Sequence, residues 1–309
     1  MRITIAGMKL DINAIREQQL PIDFLAKKLV EGFITGLHKS PYHGFSVEFA
    51  EHRLYNNGES TRHIDWKVFA KTDKLFTKRY EEETNLRCHL LIDASSSMRY
   101  PQDSQAKLHF SIYAAAALSW LLHKQRDAVG LTIFADKIIE QSEVRSTQSH
   151  IHKLFILLEG LLKSSSQQLP TNISSVLHEV ANTIHKRSLV VIFSDMFSGS
   201  ESYEELISAL MHLRHNKHEV ILFHVADHET EVSFNFADRP HLFIDLESGK
   251  KIKLQPSQVK LSYAAKAQAE LTYLKNKCGQ LGIEFVAVDT KDDYNHIFNS
   301  FLIKRSKMN

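Results

Sequence analysis

The chain has 309 residues, 43% of them hydrophobic and 24% charged, which is enough apolar material to bury a sizeable core. Its 38 basic and 36 acidic side chains leave a formal net charge of only +2, so the composition argues against a nucleic-acid-binding protein. The two cysteines, Cys88 and Cys278, have no metal-ligand spacing and read as reduced structural thiols.

In chain order, Pro21 to Leu37 carries apolar residues at Phe24, Leu25, Leu29, Phe33 and Leu37, a helical spacing. Residues 41–85 mix aromatics, turn residues and short alternating runs such as Phe45-Ser46-Val47-Glu48-Phe49. They read as an irregular or β-containing extension, so the expected division is an extension over 1–85 and a main domain over 86–309. From His89 onward strand and helix signals alternate, which predicts a parallel sheet covered on both faces, an α/β doubly wound fold. Ala106 to Leu122 is apolar nearly all round and should form a largely buried helix. Strands are expected at Ala128–Phe134, Leu189–Phe193, Val220–Val225 and Ile283–Val288, with an edge strand within Lys137–Val144. Helices are expected at His150–Leu162, Ile173–His185, Tyr203–His215, Gln258–Leu281 and Tyr294–Leu302. A polar–apolar alternation around Glu247-Ser248-Gly249-Lys250 breaks this rhythm and predicts a β-hairpin insertion at about 231–255. No apolar run approaches the roughly 18 residues of a membrane span, and the first residues are not a secretory signal, so a cytoplasmic location is expected.

Chemistry concentrates in Leu90-Leu91-Ile92-Asp93-Ala94-Ser95-Ser96-Ser97-Met98. A buried strand ends in one carboxylate followed by alternating hydroxyls, Asp93, Ser95 and Ser97. With no His or Cys within that run, the donor set suits a hard cation, magnesium above all; alone, the same residues also read as a Ser-rich helix cap. A second apolar strand, Leu189 to Phe193, closes in Ser194-Asp195, and Thr171 supplies a hydroxyl ahead of a helix. Thr171 is open to two readings, a cation ligand or the cap of that helix. In a sheet ordered 3-2-1-4-5-6 the first and fourth strands are neighbours, which would bring the Asp93 and Asp195 loops to one crevice. His212, His215 and His218 fall near a helix end beside Arg214 and Lys217 and read as a solvated terminus, not a zinc site.

Asp-x-Ser-x-Ser with a later Thr and a later Asp resembles the metal-ion-dependent adhesion site of von Willebrand factor A domains. Gly44 to Phe49, then Arg53 to Lys67 with its Arg62-His63-Ile64-Asp65-Trp66 block, resembles the bacterial family catalogued as domain of unknown function 58. Asp127 to Leu131 and Leu242 to Gly249 extend the likeness over most of the chain. Two positions depart from the family's usual pattern, Glu59 for Asp and Leu169-Pro170-Thr171-Asn172 for Gly-Gly-Thr-Asp, the latter making the Thr171 loop less acidic. The resemblance implies a metal site of Asp93, Ser95, Ser97, Thr171 and Asp195 holding Mg²⁺ (or Mn²⁺ or Ca²⁺), with a vacant position for a partner's acidic side chain. It also implies a non-enzymatic role beside a MoxR-type AAA+ ATPase or its client, in chaperone-like assembly, maturation or stress handling. The Arg62, Asp65 and Trp66 block reads as a structural anchor, with partner docking second.

The competing reading is a metal-dependent phosphatase or hydrolase using Asp93 as nucleophile. Such enzymes place an acid two residues after the nucleophile, where this chain has Ser95. Gly-rich phosphate loops, His-Glu-x-x-His and Gly-x-Ser-x-Gly motifs are absent from the sequence.

Overall fold

The computed structural model describes residues 21–37, 52–54, 69–71, 73, 75–78, 86–102, 104–164, 172–196, 203–246 and 249–306. The chain divides into two compact units, Thr35–Asn85 and Met1–Ile34 with Leu86–Asn309. The first helix, α1 (Ile22–Leu37), therefore falls largely in the α/β unit, although the sequence placed it in the extension. It turns Ile22, Leu25, Ala26, Leu29, Val30 and Phe33 inward, and the Phe33 ring lies 4.7 Å from that of Phe298.

In the smaller unit, β1 (His52–Leu54) and β2 (Phe76–Lys78) pair antiparallel, with Arg53 opposite Thr77. Arg62, Asp65 and Trp66, and the run Phe45 to Phe49, lie outside the described residues.

The α/β unit continues with β3 (Arg87–Asp93), α2 (Ala106–Lys124), β4 (Ala128–Phe134), β5 (Ile138–Gln141) and α3 (Gln148–Lys163). Then come α4 (Ile173–Thr183), β6 (Leu189–Ser194), α5 (Tyr203–His215) and β7 (Glu219–Ala226). A π-helical turn (His228–Val232) leads to β8 (His241–Ile244) and β9 (Lys251–Leu254), and α6 (Pro256–Gln280), β10 (Glu284–Asp289) and α7 (Asn295–Ser306) complete the unit. The strand order is β10-β7-β6-β3-β4-β5, so β3 and β6 are neighbours at the switch point, as the sequence predicted. All pairs are parallel except β4–β5, where the link over 135–137 is too short for a crossover.

Successive residues of a strand face opposite sides. Leu91, Val190, Ile192, Val220 and Leu222 thus form one apolar face, packed by Ile173, Val176, Leu177 and Val180 of α4 and Leu206, Leu210 and Leu213 of α5. On the other face α2 packs against β3, β4 and β7. Most of α2 is buried, as a helix apolar all round must be. The insertion is a hairpin in which His241 pairs with Leu254 and Ile244 with Lys251, and Gly249 takes a φ of +69° that its turn requires and that a side chain would disfavour.

One expectation fails in this region. His218 is not at a solvated helix end: it is fully buried, and its Nδ1 accepts a hydrogen bond from the Ser188 amide at 3.3 Å. The physical reason is its position one residue before β7, where the chain has already entered the sheet layer.

Candidate metal centre

Asp93 ends β3, and its own side chain turns the backbone off the strand. The Ser95 amide donates to Asp93 Oδ1 at 2.9 Å, closing an Asx turn, and Ser97–Arg99 continues as a single 3₁₀ turn. That turn carries Ser95 and Ser97 to the same side, with Ser95 Oγ and Ser97 Oγ 3.1 Å apart and sharing a hydrogen bond. Arg99 secures the loop from behind, donating to Gln105 Oε1 at 2.9 Å and to Ser164 Oγ at 2.8 Å.

The β6 end is tied directly to this loop. Ser194 donates its hydroxyl to Asp93 Oδ2 at 2.6 Å and accepts from the Met196 amide at 2.9 Å. Asp93 is fully buried, and burial together with the charge of Asp195 pushes its carboxyl up to about 7, against the lowering effect of the Ser194 and Ser95 hydrogen bonds. Asp93 and Asp195 are thus close enough for their charges to repel.

Asp195 is held by a residue that the sequence reading passed over. Lys107, at the second position of α2, is fully buried and donates from Nζ to Asp195 Oδ2 at 2.8 Å and to Glu231 Oε1 at 2.6 Å. Burial alone would lower its pKa, but the Asp195 and Glu231 carboxylates outweigh burial and raise it above the ordinary lysine value. Glu231 itself is anchored by the Asp227 amide, which donates to its Oε2 at 2.8 Å, and Asp227 in turn accepts from the Thr230 amide at 3.1 Å. Next to this network His224 lies opposite Ser194 in the sheet register. Burial depresses its imidazole to about 4, with Asp195 opposing and Lys107 reinforcing the shift, so it is neutral near pH 7.

Of the five residues named from the sequence, Asp93, Ser95, Ser97 and Asp195 therefore meet at the carboxyl edge of β3 and β6. Thr171 lies outside the described residues. The cap of α4 is Asn172, whose side chain accepts from the Ser175 amide at 3.0 Å, one residue later than the capping position read from the sequence. Its amide donates to Ala135 O at 3.3 Å, which fixes the start of α4 beside the end of β4.

The donor chemistry fits a small hard cation. Two ligands on adjacent corners of an octahedron with metal–oxygen bonds of about 2.1 Å stand about 3 Å apart, and the two serine oxygens are 3.1 Å apart. Among the described residues no three His, Cys, Asp or Glu side chains gather as a metal site, so such an ion would rest on hydroxyls and the two aspartates.

Lys107 carried a weak sequence signal: a cation in the first turn of a helix apolar nearly all round is enclosed and must then find an acid. Glu231, 124 residues away, carried none. Ser194 was hidden as the last residue of an apolar strand.

The family model described as "Protein of unknown function DUF58" matches residues 51–273. The uncharacterized protein Rv1480 of Mycobacterium tuberculosis is 23% identical over 210 residues, 67% of this chain and 63% of that protein; the chain thus spans under two thirds of the length of this relative. An aerotolerance-related membrane protein from Bacteroides fragilis superposes with a TM-score of 0.44 at 16% identity, covering 72% of this chain and 99% of the other. The SpRpn10 VWA domain superposes with a TM-score of 0.39 at 11% identity, covering 70% of this chain and 95% of the other.

Proposed function

Because the chain belongs to the DUF58 family, we propose that it is a non-enzymatic, metal-dependent protein-interaction module. In this reading it works with a MoxR-type AAA+ ATPase or that ATPase's client, in chaperone-like assembly, maturation or stress response. The ATPase partnership follows from what is similar in other family members. The metal dependence is supported by one observation above the others, the meeting of the Ser95 and Ser97 hydroxyls beside the buried Asp93.

A bound Mg²⁺, or Mn²⁺ or Ca²⁺, would supply an electrophile for an acidic side chain of the partner. The chain's own contribution is to hold the Ser95 and Ser97 hydroxyls at ligand spacing beside the two aspartates. Asp93 has both oxygens engaged, by the Ser95 amide and the Ser194 hydroxyl, which suits a positioning acid better than the nucleophile of a phosphatase. A cytoplasmic location goes with this reading. Among the described residues no helix is long and apolar enough to cross a membrane.

The test has two arms. A ligand that binds only the folded state at a hundredfold its Kd stabilises by about 2.7 kcal/mol, so Mg²⁺ should raise the melting temperature and a chelator should reverse it. Ser95→Ala with Ser97→Ala should abolish that rise and the magnesium-dependent capture of a MoxR-type ATPase, while the circular dichroism spectrum stays native. Capture that survives both substitutions and a chelator would contradict the proposal.

A further inference from the structure

We propose that Lys107 sets the charge of the candidate metal centre, keeping its loaded form near neutral so that it accepts a carboxylate from outside the chain. The inference rests on the metal-binding reading above and assigns a residue that the adhesion-site pattern does not contain.

Four side chains are linked by charge at this edge: Asp93 acts on Asp195, and Asp195, Glu231 and Lys107 act on one another. With Asp93 deprotonated, as a ligated carboxylate must be, three carboxylates against one ammonium leave a formal charge of −2, which a divalent cation would cancel. Without Lys107 the same loaded edge would carry −1 and would repel an approaching acid. A fully buried lysine costs desolvation, and an apolar residue in its place would avoid that cost. Its position between Asp195 and Glu231, not the packing of α2, accounts for it. Glu231 also belongs to the turn that opens the hairpin insertion, so the ammonium joins the β6 loop to the segment after β7. Lys107 acts through Asp195, and is a positioning residue in that sense.

The signature is a pair of opposite effects. Mn²⁺ affinity is measured in sodium chloride and in sodium acetate of equal ionic strength, acetate serving as the carboxylate probe. In the wild-type chain acetate should tighten Mn²⁺ binding. Lys107→Met should tighten Mn²⁺ about tenfold or more in chloride, since a neighbouring positive charge is gone, and should lose the acetate enhancement. A lysine needed only for folding would weaken both. Glu231→Gln carries the same test if Lys107→Met does not fold, with reversed signs: looser Mn²⁺ and a larger acetate enhancement.

If the wild-type chain binds Mn²⁺ while Lys107→Met weakens it or keeps the acetate effect, the charge role is overturned and the metal reading stands. Uptake by the variant alone would uphold the charge role and remove the metal reading from the natural chain. No uptake by either would overturn both.

Discussion

The two edges of the central sheet bury ionisable groups to a similar depth and treat them in opposite ways. At the carboxyl edge Asp93, Asp195 and Lys107 are almost wholly enclosed; Lys107 meets the opposite charges of Asp195 and Glu231, while Asp93 meets hydrogen-bond donors and the like charge of Asp195. At the amino edge His89 of β3 and His218 before β7 are buried beside Arg87 and His185, with neighbours of their own sign. Nε2 of each has no hydrogen-bond partner among the described residues. Burial first, then the charges of His218, Arg87 and His185, push the His89 imidazole down to about 4. A cleft of about 390 Å³ lined by Arg87, His89, Thr183 and His185 borders this edge. A buried charge is thus retained at Lys107, where two opposite charges are in reach, whereas burial and like-signed neighbours neutralise His89 by proton loss and Asp93 by proton uptake.

The largest effect that would break this contrast is loss of the ammonium. Lys107→Met leaves Asp195 and Glu231 facing each other in a buried space, and in the presence of a chelator it should lower unfolding free energy by about 3–5 kcal/mol at neutral pH. Urea denaturation measures this. A loss under about 1 kcal/mol would show that the pair is not sequestered as described.

The next effect sharpens the contrast through pH, again with a chelator present. The folded state keeps a proton on Asp93 that the unfolded chain sheds, so this group makes stability fall as pH rises from about 4 to about 7. His89 behaves in the opposite sense: between about 4 and 6.5 the unfolded chain holds a proton that the folded state refuses, so stability falls as pH drops through that window. In the natural chain the two slopes oppose each other. The buried His224, also held down to about 4, adds to the histidine side. Relative to the natural chain, Asp93→Asn should therefore increase the gain in stability from pH 4 to 7 by about 3–4 kcal/mol, and His89→Leu should decrease it by about 3 kcal/mol. Changes of the same sign in the two variants would refute the opposite pH roles of Asp93 and His89.

Much of this architecture could be read from short-range pattern. Apolar runs ending at Asp93 and Asp195 marked two central strands, and their pairing as neighbours followed from the order of a doubly wound sheet. The helix from Ala106 was legible as buried because it has no polar face. What escaped was set by tertiary pairing. Lys107 and Glu231 meet across 124 residues, Ser194 gains its role only when β6 lies beside β3, and His218 is buried by where β7 begins. Asn172 departs from the family's usual acid, and its structural use is as the cap of α4, a role that local spacing had offered Thr171 as one of two readings.

Anomalous diffraction from crystals grown with excess Mn²⁺ tests the central claim most directly. A single manganese peak bonded to Ser95 Oγ and Ser97 Oγ, with Asp93 and Asp195 around it and Lys107 still on Asp195, is the predicted result. Those hydroxyls bonded only to each other, in crystals whose manganese binds elsewhere, would contradict it.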